Sequence, residues 1–300
     1  LPHILMRYFT TPSVKAARKS VAWSLLFIFL LYFTAPALAT LSKIQMLDPN
    51  LATGIIGKAF SEVQSLDWIQ NWSNVGMLAI SDSNGDGILQ LNEFFMRADI
   101  VVLATPEIAG LPYVISGLVA AGGMAAAMST ADGLLLAISN SLSHDMYYKI
   151  IDPSADTRKR LIVARVLLIA IGAAGAFVAS MKLTSILGAV AWAFDFAMSG
   201  LFFPIVLGIW WKRANRQGAI AGMFFGLVSG TAYLYYVGPK FMAMEPWLGI
   251  DHLRFGIIGA SVSLVAMVVV TLMTEEPDEA TQKMVDDLRV PAGDTIIAQK

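Results

Sequence analysis

Two adjacent hydroxyl side chains and a carboxylate interrupt a long apolar stretch of the sequence. The stretch reads LVAAGGMAAAMSTADG, and its polar residues are Ser129, Thr130 and Asp132. In a helix the two hydroxyls point about 100° apart, and the carbonyl of Ala126 lies one turn earlier. Such oxygens are ligands that a hard cation such as Na⁺ favours. The pattern leaves two interpretations open: ligation of a cation, and back-bonding of the hydroxyls to carbonyls of the preceding turn.

Asp132 and Asp195 are ionisable residues within apolar stretches. A charge in lipid is costly, so such a residue usually faces a bundle interior or an aqueous cavity. Asp195 lies roughly 14 Å from the start of its stretch, and Ser199, one turn on, is a candidate hydrogen-bond partner. We interpret Asp132 and Asp195 as a candidate second cation or proton site. Whether Asp195 binds a cation, takes up a proton or pairs with another group stays open.

A third set of oxygen ligands lies in the sequence DSNGDGILQLNE, residues 82–93. Its spacing is typical of an EF-hand-like calcium loop, with a glycine, Gly87, at the sharp turn of position six. The residues at positions one, three, five, seven and twelve are Asp82, Asn84, Asp86, Ile88 and Glu93. The competing interpretation is a polar turn. We predict a weak, structural Ca²⁺ site that steadies the segment around it.

The elements that position these residues follow from composition. Of 300 residues, 56% are hydrophobic and only 14% are charged, and the net charge is −1. The mean hydropathy of +0.64 is outside the range of ordinary soluble proteins. The charge gives no basis for nucleic-acid binding. The chain has no cysteine, which excludes disulfides, thiolate metal sites and a cysteine nucleophile.

Six apolar runs are long enough to cross the roughly 30 Å core of a lipid bilayer as helices. They are residues 21–39, 111–142, 161–179, 186–211, 219–237 and 255–273. Pro36 is expected to kink or end the first run. We therefore predict an all-α membrane protein with six transmembrane helices, in which the second run carries the hydroxyl pair.

Lysine and arginine cluster at alternate ends of these runs. The clusters precede the first run, separate the second from the third, and separate the fourth from the fifth. By the positive-inside rule those ends are cytoplasmic, which places both termini inside. Residues 1–20 are then a cytoplasmic segment, residues 40–110 form an extracytoplasmic loop, and residues 274–300 form a polar cytoplasmic tail.

Several stretches resemble the sodium/solute symporter family, in particular its acetate-permease (cation/acetate symporter) branch. The stretch GLVAAGGMAAAMSTADGLLLAISNSLSHDMYYKI resembles the family's helix that binds sodium through a pair of hydroxyls and ends in an Asp-x-Tyr motif, here Asp145 and Tyr147. LPHILMRYFTTPSVKAARKSV and WWKRANRQGAIAGMFFG are similar to other segments of that branch. The likeness extends over nearly all of residues 1–273. Asp132 departs from the small polar residue more common in the family.

The resemblance implies the C-terminal part of a LeuT-like fold of inverted repeats, in the plasma (inner) membrane. It places Na⁺ at the Ala126 carbonyl and the hydroxyls of Ser129 and Thr130. It implies symport of a small monocarboxylate such as acetate by alternating access, and no enzymatic activity. In the family the remaining sodium ligands come from helices before the position of Leu1. We therefore expect a chain that begins within a longer protein and does not transport alone.

Two other function classes are considered. One is an intramembrane aspartyl protease, in which Asp132 and Asp195 share a proton, but no Gly-x-Gly-Asp motif surrounds either residue. The other is a calcium-responsive membrane scaffold without transport. Both differ from a symporter in that neither depends on a cation gradient.

Overall fold

The computed structural model describes residues 10–289. The predicted cytoplasmic segment 1–20 and polar tail 274–300 are therefore described only in part, and residues 1–9 and 290–300 lie outside the described residues. The helices are α1 (Val14–Leu47), α2 (Phe60–Gln64), α3 (Asp67–Asn74), α4 (Val101–Ile108), α5 (Tyr113–Asn140), α6 (Thr157–Ser180), α7 (Ile186–Ala197), α8 (Phe203–Trp210), α9 (Arg216–Val237), α10 (Gly256–Met273) and α11 (Glu279–Leu288). A two-stranded antiparallel sheet joins β1 (Leu78–Ile80) to β2 (Phe94–Met96).

Six helices are long and apolar enough to cross a membrane, which confirms the predicted all-α membrane class. They are Val14–Leu47, Tyr113–Ile151, Thr157–Ser180, Ile186–Trp210, Arg216–Val237 and Gly256–Met273. The helices that correspond to the first two predicted runs extend well beyond the C-terminal ends of those runs. Pro36 does not end α1, which continues to Leu47. A helix that leaves the bilayer can continue in water or against protein, and apolar composition does not record that continuation.

Two π-helical segments interrupt the long helices. Ser141–Ile151 follows α5 directly, and Met198–Phe202 separates α7 from α8. Pro204 is the second residue of α8 and follows the second of these π-helical turns closely. Such segments change the register of a helix and are frequent at functional sites. Both follow helices that carry a candidate polar site.

The described residues form two compact units, 15–136 and 137–289 with 10–14. We call the first the N-terminal unit and the second the C-terminal unit. The N-terminal unit has its buried core around the segment between α1 and α5. The core residues are Met46, Ile55, Val63, Trp68, Ile69, Leu78, Leu89, Ala104 and Ile108. The predicted extramembrane segment 40–110 is thus a folded structure packed on the end of α1.

The C-terminal unit is held together by close contact between α9 and α10. Glycine recurs at every fourth position of α9, and all four glycines are buried: Gly218, Gly222, Gly226 and Gly230. A Cβ atom on Gly226 would lie 2.0 Å from the carbonyl oxygen of Ser199 and 2.7 Å from the Cβ of Ser263. Small residues let membrane helices approach this closely, so dispersion contacts replace the hydrophobic drive that lipid cannot supply.

Candidate functional site

The hydroxyls of Ser129 and Thr130 both meet the carbonyl of Ala126. Ser129 Oγ donates to this oxygen at 3.0 Å, and Thr130 Oγ1 donates to it at 3.4 Å. This is the back-bonding geometry, one of the two interpretations that the sequence leaves open. It also gathers three oxygens around one point of α5, and both side chains are exposed among the described residues. Further oxygen ligands have room to approach from the open side.

Asp132 lies three residues after Ser129 and therefore on the same face of α5. Its carboxylate is exposed, and the structure describes no hydrogen bond or ion pair for it within residues 10–289. An exposed, unpaired carboxylate on an apolar membrane helix is costly in lipid. Ser129 and Asp132 thus form a polar face on an otherwise apolar stretch of α5.

Asp195 lies in a different environment, at the packed junction of α7 and the start of α10. Its carboxylate faces the backbone amides of Phe255 and Gly256, and its Oδ2 is buried without a hydrogen-bond partner among the described residues. A Cβ atom on Gly256 would come within 2.8 Å of both the Cα and the Oδ1 of Asp195. Ser199 donates to the backbone oxygen of Asp195 at 2.7 Å, not to its carboxylate. Asp195 is thus placed where a helix begins.

The calcium-type loop connects β1 to β2, so strands and not helices flank it. The carboxylate of Asp82 accepts from the amides of Gly85 at 2.8 Å and Gly87 at 3.1 Å. Gly87 has φ +72°, the left-handed conformation that the sharp turn of such a loop requires. Asp86 accepts from the amide of Ile88 at 2.8 Å, and this bond is the main reason that the pKa of Asp86 lies below its ordinary value.

Glu93, the last residue of the loop, is buried and bonded to the loop backbone. One oxygen accepts from the amide of Ser83 at 2.8 Å, and the other from that of Gln90 at 3.1 Å. Across residues 10–289, no three acidic, histidine or cysteine side chains are gathered so that they could hold a metal. The structure therefore forms the turn of the predicted loop but does not bring the carboxylates of Asp82, Asp86 and Glu93 together.

A polar cluster after α5 was not singled out by the sequence. Asp152 accepts from Lys159 Nζ at 2.7 Å, from Ser154 Oγ at 2.8 Å and from Tyr147 Oη at 3.3 Å. Lys159 is the main cause of an Asp152 pKa below the ordinary value. The cluster joins the π-helical segment to the start of α6. The Asp-x-Tyr motif was the available signal, because Tyr147 belongs to it.

The sequence is similar to a family of membrane transporters. A family model described as the sodium:solute symporter family matches residues 99–226, which include Ser129 and Asp195 but not the loop at 82–93. An uncharacterized symporter of Cupriavidus necator is 42% identical over 296 residues, which are 96% of this chain and 42% of that protein.

More distant relatives are transporters with named solutes. A sodium/proline symporter of Haemophilus influenzae is 30% identical over 168 residues, 55% of this chain and 31% of that protein. A monocarboxylic acid transporter of Corynebacterium glutamicum is 24% identical over 237 residues, 78% of this chain and 36% of that protein. The chain spans less than half the length of each of these relatives.

Proposed function

Because the chain belongs to the sodium:solute symporter family, we propose that it carries the cation-binding helix of a Na⁺-coupled symporter for a small monocarboxylate such as acetate. The single observation that supports this most is the meeting of the Ser129 and Thr130 hydroxyls at the Ala126 carbonyl. The family consists of symporters and not of enzymes, which argues against a shared-proton protease at Asp132 and Asp195.

In the proposed mechanism, α5 supplies one side of the cation site and helices outside this chain supply the rest. Bound Na⁺ satisfies hydroxyl oxygens that otherwise bond back to their own helix, and this favours the outward-open state of an alternating-access cycle. The face with Ser129 and Asp132 then lies toward those helices and not toward lipid. Asp132 is a candidate for a second cation or a proton. The choice of a monocarboxylate as the solute rests on the similarity to the monocarboxylic acid transporter of Corynebacterium glutamicum.

We propose the plasma membrane as the location, with both ends of the chain in the cytoplasm. The support is that basic residues cluster at alternate ends of the membrane helices. One cluster is Lys149, before α6, with Arg158 and Arg160 in the first turn of α6. The other is Lys212 and Arg213, between α8 and α9. Reporter fusions at the two ends that read out on the outer side would overturn this arrangement.

Uptake of labelled acetate by vesicles containing the full-length gene product tests the function. We expect uptake that requires an inward Na⁺ gradient, with proline, lactate, pyruvate and propionate as competitors to rank the solutes. The 300 residues alone should take up none. Uptake that is indifferent to any cation gradient would remove symport and leave the scaffold interpretation.

Thr130→Ala tests the ligand assignment. We expect the Na⁺ concentration for half-maximal uptake to rise by about tenfold, the equivalent of losing one good ligand. Thr231→Ala is the matched control, because Thr231 is also exposed and donates to a carbonyl one turn earlier, Leu227. An unchanged Na⁺ dependence in Thr130→Ala, or an equal change in both variants, would exclude Thr130 as a ligand.

We also propose that residues 82–93 bind Ca²⁺ weakly and steady the N-terminal unit. Support comes from the ligand spacing, from the turn at Gly87 and from the fully buried side chain of Leu89, which joins the loop to the core. Binding requires Glu93 to turn from the backbone amides toward the ion. An affinity of about 10⁻⁴ to 10⁻³ M is expected for an extracellular site. Calorimetry on the protein should show binding heat that Asp82→Ala abolishes; no heat in the wild type would refute the site.

A further inference from the structure

The segment that leads into α10 is fixed to its neighbours at successive points. Tyr233 of α9 donates to the carbonyl of Ile250 at 2.8 Å and accepts from the amide of Trp247 at 2.9 Å. Further along, the fully buried Phe255 packs edge-on against Phe196 of α7, with ring centroids 4.9 Å apart. The start of α10 is therefore held by both α9 and α7.

Between these points lies a contact that depends on the protonation state of one side chain. The indole Nε1 of Trp192 in α7 donates to the Nδ1 of His252 at 3.3 Å. The two rings meet edge to face, with centroids 6.0 Å apart and an interplanar angle of 85°. An indole nitrogen can only donate, so His252 must accept through an unprotonated Nδ1. The contact exists only with a neutral imidazole.

Trp192 is held in place by its packing, so a change in its contact with His252 reflects movement of His252. Its side chain is 9% exposed and belongs to the buried core of the C-terminal unit. Its ring also contacts Phe241 of the loop after α9, at a centroid distance of 6.3 Å. When His252 is protonated, two N–H groups oppose each other at this point. The indole is held by its packing, so the segment with His252 is the part that moves.

We propose that Trp192 and His252 form a proton-sensitive latch between α7 and the start of α10. The latch is closed while the imidazole is neutral and opens when it is protonated. Histidine ordinarily changes charge between pH 5 and 8, so the stabilisation by this bond is present at the upper end of that range and is lost as the pH falls. By the positive-inside rule, the segment between α9 and α10, which carries His252, lies on the extracytoplasmic side of the membrane.

The elements that meet at this junction carry other titratable groups. They are Asp195 of α7, Tyr233 of α9, Lys240 and Glu245 of the connecting loop, and Asp251 and Arg254 of the segment itself. The carboxylate of Asp195 faces the backbone amides of Phe255 and Gly256, so opening the latch loosens the segment directly before this candidate polar site.

Hydrogen exchange of the chain in lipid nanodiscs, without Na⁺ or solute, tests the latch independently of transport. The reporters are the amides of Arg254 and Ile257, which donate to Asp251 and Arg254 within the segment. After correction for intrinsic exchange rates, we expect their protection to fall by about fivefold between pH 8 and pH 5, the ratio that one ordinary hydrogen bond is worth.

His252→Gln supplies a neutral acceptor at every pH and should keep high, pH-independent protection. Trp192→Phe removes the donor and should give low, pH-independent protection, so that a folding failure of either variant leaves the other to decide. His144→Gln, on the π-helical segment after α5, is the control. The amide protection in this variant should depend on pH as it does in the wild type. Protection in the wild type that does not depend on pH, or a pH dependence that persists in both His252→Gln and Trp192→Phe, would overturn the latch.

Discussion

Helices α5 and α9 are both rich in small residues, yet the structure uses them in opposite ways. The glycines of α9 are buried against α10 and the π-helical turn. On α5, Gly122 has no atom within 4 Å of where a Cβ would stand, and Ser129 and Thr130 are exposed. One small-residue face is thus occupied within the chain, whereas the other carries exposed hydroxyl groups. Small residues in a membrane helix therefore indicate close approach, but not whether the neighbour is protein, ion or solute.

The two units differ in the same sense. No residue is buried in the apolar windows of α1 and α5, whereas a third of the windows of α9 and α10 is buried. The N-terminal unit has its described core outside the apolar stretches, around Leu89. The C-terminal unit has its core between membrane helices. Each of the following variants separates these two modes of stabilisation.

Gly226→Ala should have the largest effect. Its Cβ would lie 2.0 Å from a backbone oxygen of Ser199, which cannot yield as a flexible side chain can. We expect a loss of about 3 kcal/mol or more in the free energy of unfolding, at or beyond the upper end for overpacking. Thermal unfolding in detergent measures it.

Gly122→Ala is the matched control for Gly226→Ala, because it makes the same change in a helix with open space. Alanine in a helix is favoured over glycine by about 1 kcal/mol, so this variant should be neutral or slightly more stable. Equal destabilisation by the two variants would show that α5 is packed as closely as α9.

Leu89→Ala should come next and acts on the other unit. Leu89 is fully buried in the core of the N-terminal unit, so truncation should cost about 2–4 kcal/mol. Leu91→Ala, two residues on, removes a side chain that is 61% exposed and should cost less than about 0.5 kcal/mol. Limited proteolysis of the segment around β1 and β2 reports on this unit alone. Similar cleavage rates in the two variants would argue that Leu89 does not belong to a packed core.

The sequence predicts the membrane helices well and their partners poorly. The six apolar runs each lie in or coincide closely with a long helix, since lipid allows few other structures. The pairing of α9 with α10 was not predicted, because a repeat of glycine at every fourth position marks a contact face without naming its partner. The folded core at 40–110 was missed for another reason: its apolar residues are scattered over short elements, and only tertiary packing joins them.

For the candidate sites, too, the sequence indicates individual residues but not their contacts. Ser129 and Thr130 could be singled out because hydroxyls beside a carboxylate are unusual in an apolar run. The meeting of Asp195 with Gly256 could not be predicted, because 61 positions of chain separate them. The burial of Glu93 was also missed, since loop spacing specifies ligand order but not whether a carboxylate turns toward an ion or toward backbone amides.

Asp195→Ala should have a moderate effect. The variant removes the acceptor that faces the amides of Phe255 and Gly256, and an unmet buried amide costs about 1–3 kcal/mol. Asp132→Ala, the counterpart in α5, should change stability by less than about 0.5 kcal/mol, because no partner of Asp132 is described within residues 10–289. Its effect should instead be on the cation or pH dependence of uptake. A loss of stability in Asp132→Ala would assign it a structural partner.

Asp152→Asn should have the smallest effect, and one that depends on pH. The Asp152 pKa is lowered first by Lys159 and then by Ser154, so its charged form is favoured in the folded chain. The stabilisation is therefore present above the ordinary carboxyl value of 3.8 and disappears as the pH falls below it. Asp152→Asn should lower the unfolding temperature slightly at pH 7 and not at pH 3. Asp156→Asn is a useful comparison, because its carboxylate caps α6 at the Lys159 amide without that ion pair. If Asp152→Asn lowers the unfolding temperature equally at both pH values, the contact of Asp152 with Tyr147 and Ser154, and not its charge, holds the π-helical segment to α6.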